Sequence, residues 1–493
     1  SVTQIVGNNV TGGRSQGIYV LNSSVGEING NTVTASGAEG IGISGGSASV
    51  GNIVLNNVNK AGTEGIRVGE GAVVTNIGGN SSAGNIVTAS VGSGIFVGAS
   101  QVTNISYNTI NTAGSTSIRV ASAVSKANIT NNTVSNGKEK GIYAFGSEIV
   151  ITSNKINKSA STAIHVDGGK GTVKKNTIKT TLAGDGILVS GGAKISRITK
   201  NKISSTKENG IEITGKSSVK YIGEKKDTGN TVEKAGTNGI YLKEGVSVSN
   251  VFYNTVKSSK SANISTEKTK GTLNIANNTL TSAKNQGIRV LNTKVKITDN
   301  KISKSVSYGI YLDGKNVNAT VKNNTIDTVS KGNGIRVCNG KTTLTANNIK
   351  KTKTQGIYVV KGTVTIAGDN KVSNAGSKKA LTIKGGTIYM TSGNAKMQLK
   401  SGKLVVCGTT TSSATKVTIP SKIKIGNVTY KVTEVGNKAF KNHKKIKTLT
   451  IGSNVAKIGK SAFEGCTALQ TVTVNTTGLT EKNVGDYSFK GIT

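Results

Sequence analysis

The sequence predicts an all-β chain, a parallel β-solenoid of about 15 coils of 22–29 residues followed by a short second repeat array. Three observations carry that prediction. Large side chains are scarce: there are 64 Gly, one Pro, no Trp and 4% aromatic residues, so any core must be thin, continuous and aliphatic. A pattern of small residue, Ile, any residue, aliphatic recurs with its Ile at 18, 41, 66, 95, 118, 142, 164, 187, 211, 240, 288, 310, 335 and 357. An Asn column keeps step with it at 108, 132, 154, 176, 201, 230, 254, 278, 300, 324, 348 and 370.

The steps between the Ile positions are 22 to 25 residues, apart from two of 29 and one of 48. The step of 48 is two coils of 24, with SANIS at 261–265 as a degenerate copy whose outward residue is read as Asn263. Each step of 29 carries an insertion, IGGNSSAGN at 77–85 and IGEKKDTGN at 222–230. A further alternating stretch precedes each Asn, as in VKI at 295–297. Each coil therefore holds three short strands separated by Gly, Asn and Ser turns, with no helical periodicity. Inward Ile and Val stack on their counterparts in adjacent coils. A buried Asn is costly alone, but amides stacked coil upon coil satisfy one another.

The combination of N-x-I, GI-x-V and V-x-I with an Asn column resembles the right-handed parallel β-helix repeat family over about residues 5–395. That family includes polysaccharide lyases, polygalacturonases, epimerases, phage tailspikes and bacterial surface proteins, so the resemblance implies a fold and leaves the activity open.

Beyond residue 417 the repeat changes. VTEVGNKAFKNHKKIKTLTI (432–451) and VAKIGKSAFEGCTALQTVTV (455–474) align, matching Val432 with Val455, Gly436 with Gly459, Phe440 with Phe463 and Leu449 with Val472. A third copy begins at VGDYSFKGI (484–492). The G-x-x-A-F signature resembles the BspA-like leucine-rich repeat of bacterial surface proteins, which the resemblance links to adhesion. The expected organisation is a β-helix over 1–400, a connector over 401–416 including GTTTSSATK, and leucine-rich repeats over 417–493. His443 and Cys466 occupy equivalent positions of two copies and read as buried repeat residues.

Net charge is +40 and uneven: residues 1–100 carry three basic against four acidic side chains, and residues 401–493 carry 14 against 4. Such an excess favours anionic polysaccharide or cell-wall polymer, and an evenly solvated Lys surface explains it equally well. No apolar run is long enough to span a membrane. Three Cys at wide spacing fit neither a metal site nor a disulfide framework. No cofactor or metal motif appears, and nothing indicates specific nucleic-acid recognition. With no leader or anchor and with both ends inside a repeat, the chain reads as part of a larger protein, disposed to end-to-end or homo-oligomeric self-association. An extracellular or cell-surface location follows from the family resemblance alone.

For catalysis the signals are thin. There are eight Asp, mostly scattered one per coil or fewer, and none of the carboxylate motifs of the polygalacturonases. IHVDGG at 164–169 places His165 and Asp167 on one outward face as weak catalytic candidates, with Tyr143 and Glu212 in nearby coils.

The stronger signal is the variable residue of the Ile motif, which points outward. Tyr19, Arg67, Phe96, Arg119, Tyr143, His165, Tyr241, Arg289, Tyr311, Arg336 and Tyr358 fill eleven of 15 such slots. Four of the six Arg lie in this column. Arg offers a planar fork to carboxylate, sulfate or phosphate, and Tyr offers a face to a sugar ring. The same side chains, stacked less than about 5 Å apart, could equally stabilise the ladder with no ligand.

Three readings follow. One is a non-enzymatic surface or secreted binding and adhesion protein, gripping anionic polysaccharide with the strip and a host or cell-surface protein with the leucine-rich repeats. The second is a lyase, epimerase or hydrolase of an acidic glycan. The third is an architectural spacer or assembly subunit with nonspecific polyanion affinity.

Overall fold

The computed structural model describes residues 1–376 and 379–492. It divides into two compact units, Ser1–Arg289 and Val290–Thr493.

In the first unit every coil runs through three strands in the same order. Coil two, for example, is Ser24–Asn29, Thr32–Thr34 and Ile41–Ser44, which define the first, second and third faces. The pairings between coils are parallel and in register, as in Ile18↔Ile41 and Val33↔Val58, apart from one shift where Gly171 and Thr172 pair with Ile195 and Arg197. Strand interiors alternate as expected. In Ile118–Ala121, Ile118 and Val120 are fully buried while Arg119 is exposed. The core is a stack of Ile and Val, with no aromatic side chain in the first unit fully buried.

Among the described residues the third-face strands number sixteen, twelve starting in the first unit and four in the second, one coil more than the periodicity indicates. The extra coil carries Leu381–Ile383, where Leu replaces the motif's Ile. In the degenerate coil, Ile264 pairs with Ile240, so Ser265, and not Asn263, stands opposite Tyr241. Asn263 takes the small-residue position instead and is buried.

The Asn column is a hydrogen-bonded ladder, and it reaches further than the sequence pattern suggested. In the first unit it runs from Asn8 through Asn31, Asn56 and Asn85 to Asn278. Asn108 is typical: its backbone N–H and its Nδ2 both donate to Asn132 Oδ1, at 2.9 and 3.0 Å. Its Nδ2 also donates to the Ile77 carbonyl at 2.9 Å. In the second unit the ladder is Asn300, Asn324, Asn347 and Asn370. Asn347 therefore replaces Asn348, which begins the strand Asn348–Thr352. The residue before the ladder Asn repeatedly adopts a left-handed backbone, as at Leu55 (φ 57°), Tyr107 (φ 59°) and Lys175 (φ 57°). A second, half-buried amide ladder, Asn52, Asn76, Asn104 and Asn128, lies on the first face.

In the second unit, parallel stacking gives way after Thr387–Ser392, which pairs antiparallel with Ala395–Lys400 and through it with Lys403–Thr409. Lys403–Thr409 then pairs parallel with Val428–Val435, so the first half of the expected connector is a strand. Lys416–Ile419, Thr448–Ile451 and Thr471–Val474 form a separate parallel sheet. Phe440, Phe463 and Phe489 stack at 5.1 Å between successive centroids, the first two as the match of Phe440 with Phe463 requires and the third from the copy that begins at Val484. Cys466 is buried against the Phe440 carbonyl, whereas His443 is only half-buried, with Nε2 beside Thr409 Oγ1 at 3.5 Å.

Asn132→Ala takes the acceptor from the Asn108 backbone N–H, one of three acceptors from the Asn108 amide, and the amide donor from the Ile105 carbonyl, all inside the core. We expect it to lower stability by roughly 2–5 kcal/mol, against about 0.5–1.5 kcal/mol for Asn128→Ala on the half-buried outer ladder. Urea midpoints of the two variants measure the difference.

Candidate functional site

The third face places the predicted strip residues in successive coils, and five of them form an unbroken stack. Register pairs Arg67 with Phe96, Phe96 with Arg119, Arg119 with Tyr143 and Tyr143 with His165. The Arg67 and Arg119 guanidinium carbons lie 5.9 and 5.4 Å from the Phe96 centroid. Arg119 is also 5.9 Å from the Tyr143 ring, and that ring lies 5.0 Å from His165.

These side chains lie down along the strand because the neighbouring outward column is small. A Cβ at Gly98 would stand 2.6 Å from the Phe96 ring, and one at Gly69 would stand 3.1 Å from the Arg67 guanidinium. The glycines of RVG and FVG thus make room for a flat ledge. Ala121 continues the small column, and Phe145, next in register, is 46% exposed.

Elsewhere the strip is broken. Tyr19 leans over Gly42. Leu188 and the buried Glu212 interrupt the column. Tyr241 donates to Glu267 at 3.3 Å, and Arg289 donates to Ser265 at 3.3 Å. In the second unit the Arg336 guanidinium sits 5.4 Å from the Tyr308 ring and 4.9 Å from the Tyr358 ring. Its Nε donates to Cys338 Sγ at 3.3 Å, and Tyr311 donates to Asp313 at 3.1 Å. Burial, with Cys338 and Asp313, raises the Tyr311 phenol above its ordinary range.

His165 and Asp167 are brought together through a residue that sequence reasoning missed. Ser190 Oγ donates to Asp167 Oδ1 at 2.8 Å and also lies 2.8 Å from His165 Nε2. With its own proton on Asp167, the serine must accept from Nε2–H, which leaves Nδ1 bare, buried and without a partner. Tyr143 fills the other carboxylate oxygen, donating to Oδ2 at 3.2 Å. Burial holds His165 down to about 4, against an opposing pull from Asp167, so the ring is neutral at pH 7. Its one free basic nitrogen faces protein, and Ser190 has no base to activate it. This is a hydrogen-bond chain that fixes side chains, with no group presented for proton transfer.

Glu212 does not join this cluster. It accepts from Asn209 Nδ2 at 2.6 Å and pairs with Lys243 Nζ at 2.8 Å. The same Asn209 amide donates to Asp185 Oδ1 at 3.1 Å, so two carboxylates share one donor. Asp185 comes from the turn before the third-face strand, a column that the Ile motif does not mark. Burial, then the nearby Glu212, pushes Asp185 up to about 7. With 3% and 5% of their surfaces exposed, neither acid can reach a substrate bond.

Among the described residues no cluster of His, Cys, Asp or Glu could hold a metal ion, and no helix is long and apolar enough to cross a membrane.

The unfolded chain ionises Asp185 near 3.8, whereas the folded chain keeps the proton to about 7. Between those values the native state binds more protons, so stability falls as pH rises. Asp185→Asn keeps the acceptor for Asn209 and removes that fall. We expect the variant to gain on the natural chain by roughly 2–4 kcal/mol between pH 5 and pH 8, read from urea unfolding at both pH values.

The description "right handed beta helix region" matches residues 1–147, 65–225, 120–280 and 226–404. "BspA type leucine rich repeat region" matches residues 411–493. Among curated proteins none matches the chain. Among solved structures, PfbA, a surface adhesin of Streptococcus pneumoniae, aligns at 11% identity over 81% of this chain and 92% of its own. The TM-score is 0.16, a value that supports no argument from shape.

Proposed function

The chain belongs to the right-handed β-helix family and ends in BspA-type leucine-rich repeats, and we propose that it is a non-catalytic binding protein of the cell surface or secreted medium. In this reading it holds anionic polysaccharide on the third face of the β-helix, while the leucine-rich repeats contact a host or cell-surface protein. The observation that carries it is the stack of Arg67, Phe96, Arg119 and Tyr143, which presents guanidinium and ring alternately on a rigid parallel sheet. Guanidinium recognises carboxylate and sulfate by shape as well as charge, and aromatic rings take the apolar faces of sugars. The net charge of +40 adds a long-range attraction for the same partners.

Against the enzymatic alternative, the His165 chain and the Asp185–Glu212 pair have their reactive atoms either hydrogen-bonded or buried. The reading needs no cofactor or metal.

The test is retention and turnover in parallel, on polygalacturonate, alginate, hyaluronan and a neutral glucan at about 0.15 M salt. We expect acidic polymers to be retained, the neutral glucan to pass, and reducing ends and unsaturated products to stay at background. Turnover that disappears in His165→Ala would replace this reading with a lyase or hydrolase. Failure to retain any acidic polymer would reject it outright.

A further inference from the structure

We propose that Arg119, Lys140, Tyr143 and Phe145 form a subsite for a carboxylated sugar, a uronate residue of an acidic glycan. The inference rests on the glycan-binding reading above and narrows it to one place on the third face.

Most strip cations already have partners. Arg67 pairs with Glu39 at 3.7 Å, and Lys243 pairs with Glu212 at 2.8 Å. Arg289 donates to Ser265, and Arg336 donates to Cys338. On the first face, Arg197 makes a two-point pair with Glu224. Arg119 and Lys140 are different. Both lie over one ring, their charged groups 5.9 and 4.9 Å from the Tyr143 centroid. Among the described residues neither donates to a carboxylate, carbonyl or hydroxyl. The nearest acids are engaged elsewhere: Glu139 accepts from Ser115 at 2.8 Å, and Asp167 accepts from Tyr143 and Ser190. Two like charges converging on one ring, with their hydrogen-bonding capacity unspent, are a complement to an anion.

The shape of the anion follows from the donors. Arg119 is exposed, and its fork matches the two oxygens of a carboxylate, with Lys140 as a point charge beside it. The ring carrying that carboxylate has a seat one position along the strand. Phe145 is 46% exposed, at 6.5 Å from Tyr143, and stands in register between the small Ala121 and Asp167, whose two oxygens accept from Ser190 and Tyr143. The Tyr143 hydroxyl bonded to Asp167 fixes the ring beneath the two cations. Carboxylate at one end and apolar ring face at the other describe a uronate better than a phosphate, which has no flat apolar face to set on Phe145.

The experiment measures binding of polygalacturonate, its methyl ester, heparin and a neutral glucan to the full chain by calorimetry at about 0.15 M salt. The variants are Arg119→Ala, Arg119→Lys, Lys140→Ala, Phe145→Ala and the Arg119→Ala/Lys140→Ala double. Two controls are Arg197→Ala on the first face, whose cation is already paired with Glu224, and the triple Lys155→Ala/Lys179→Ala/Lys202→Ala on the second face. Circular dichroism and melting confirm that each variant folds. We expect Arg119→Ala and Lys140→Ala each to weaken polygalacturonate about ten-fold. Arg119→Lys should recover little of that loss, the methyl ester should bind no better than the double variant does, and both controls should change affinity by less than about three-fold. Equal losses in the second-face triple would reduce the subsite to nonspecific charge and overturn it. Heparin bound through Arg119 while polygalacturonate is not would overturn the uronate assignment in favour of sulfate. If the natural chain retains acidic polymers and the double variant retains them equally, this subsite fails while the general reading stands. If the natural chain binds none of them, both fail.

Discussion

Each ladder Asn uses one carbonyl oxygen to accept two donors, the backbone N–H and the side-chain amide of the preceding coil. That arrangement fixes register. A β-strand alternates its side chains with period two, so a slip of one residue would carry every outward side chain to the core and every Ile to solvent. The buried amide forbids the slip, since a displaced Asn leaves two donors and a carbonyl without partners in an aliphatic interior. The left-handed residue before the Asn, carried by Leu55, Tyr107 and Lys175 where glycine would be easier, shows how strongly the turn is held. Conformations costing about 1–2 kcal/mol each survive only where the surroundings over-determine them.

With register fixed, chemistry becomes columnar. A side chain in one coil meets the residue at the same position of the coils on either side, and several ion pairs follow from this: Lys170 with Glu148, Lys257 with Glu233, and Lys268 with Glu244 all join adjacent coils. Acids are the scarce partner, 23 against 63 basic side chains. Where an adjacent coil supplies an acid within reach the cation is neutralised, as Glu39 does for Arg67 from a neighbouring column. Where the column supplies only rings, as it does for Arg119, the charge stays available. The exposed cationic character is thus set by which columns hold acids, and the excess of Lys over Glu is only its precondition.

The same rule explains what could be read from the sequence. The GI-x-V motif marks a whole strand with four residues, so the third face and the strip were legible residue by residue. Legibility failed where a column was occupied by an equivalent residue. Leu381 stands for Ile, and the paired amides of Asn347 and Asn348 leave two choices that only the turn decides. In SANIS, Asn263 fills the place of a glycine and displaces the reading by two positions. Asp185, Asn209 and Glu212 were beyond reach for another reason. They belong to different columns and meet only through the path of the turn before the strand, which no periodicity encodes. Ser190 is a similar case, an unremarkable residue in the second outward column made important by the neighbours stacked below it.

A stacked column also bears on whether the strip serves the fold or a partner, because the two uses do not compete. A free Arg at a surface samples many rotamers, and fixing it on a ligand costs up to about 1.5–2 kcal/mol of side-chain entropy. Arg119, lodged between Phe96 and Tyr143, has given up much of that freedom on folding. The rings hold the guanidinium by its faces, and its N–H groups project from the edge, so stacking orders the fork without using its donors. A ligand meeting such a fork has less disorder to remove, which is the advantage of preorganisation. The contacts that stabilise the ladder in the absence of a ligand are therefore the contacts that would make it a better receptor, and Arg119 and Lys140 combine that order with an unpaired charge.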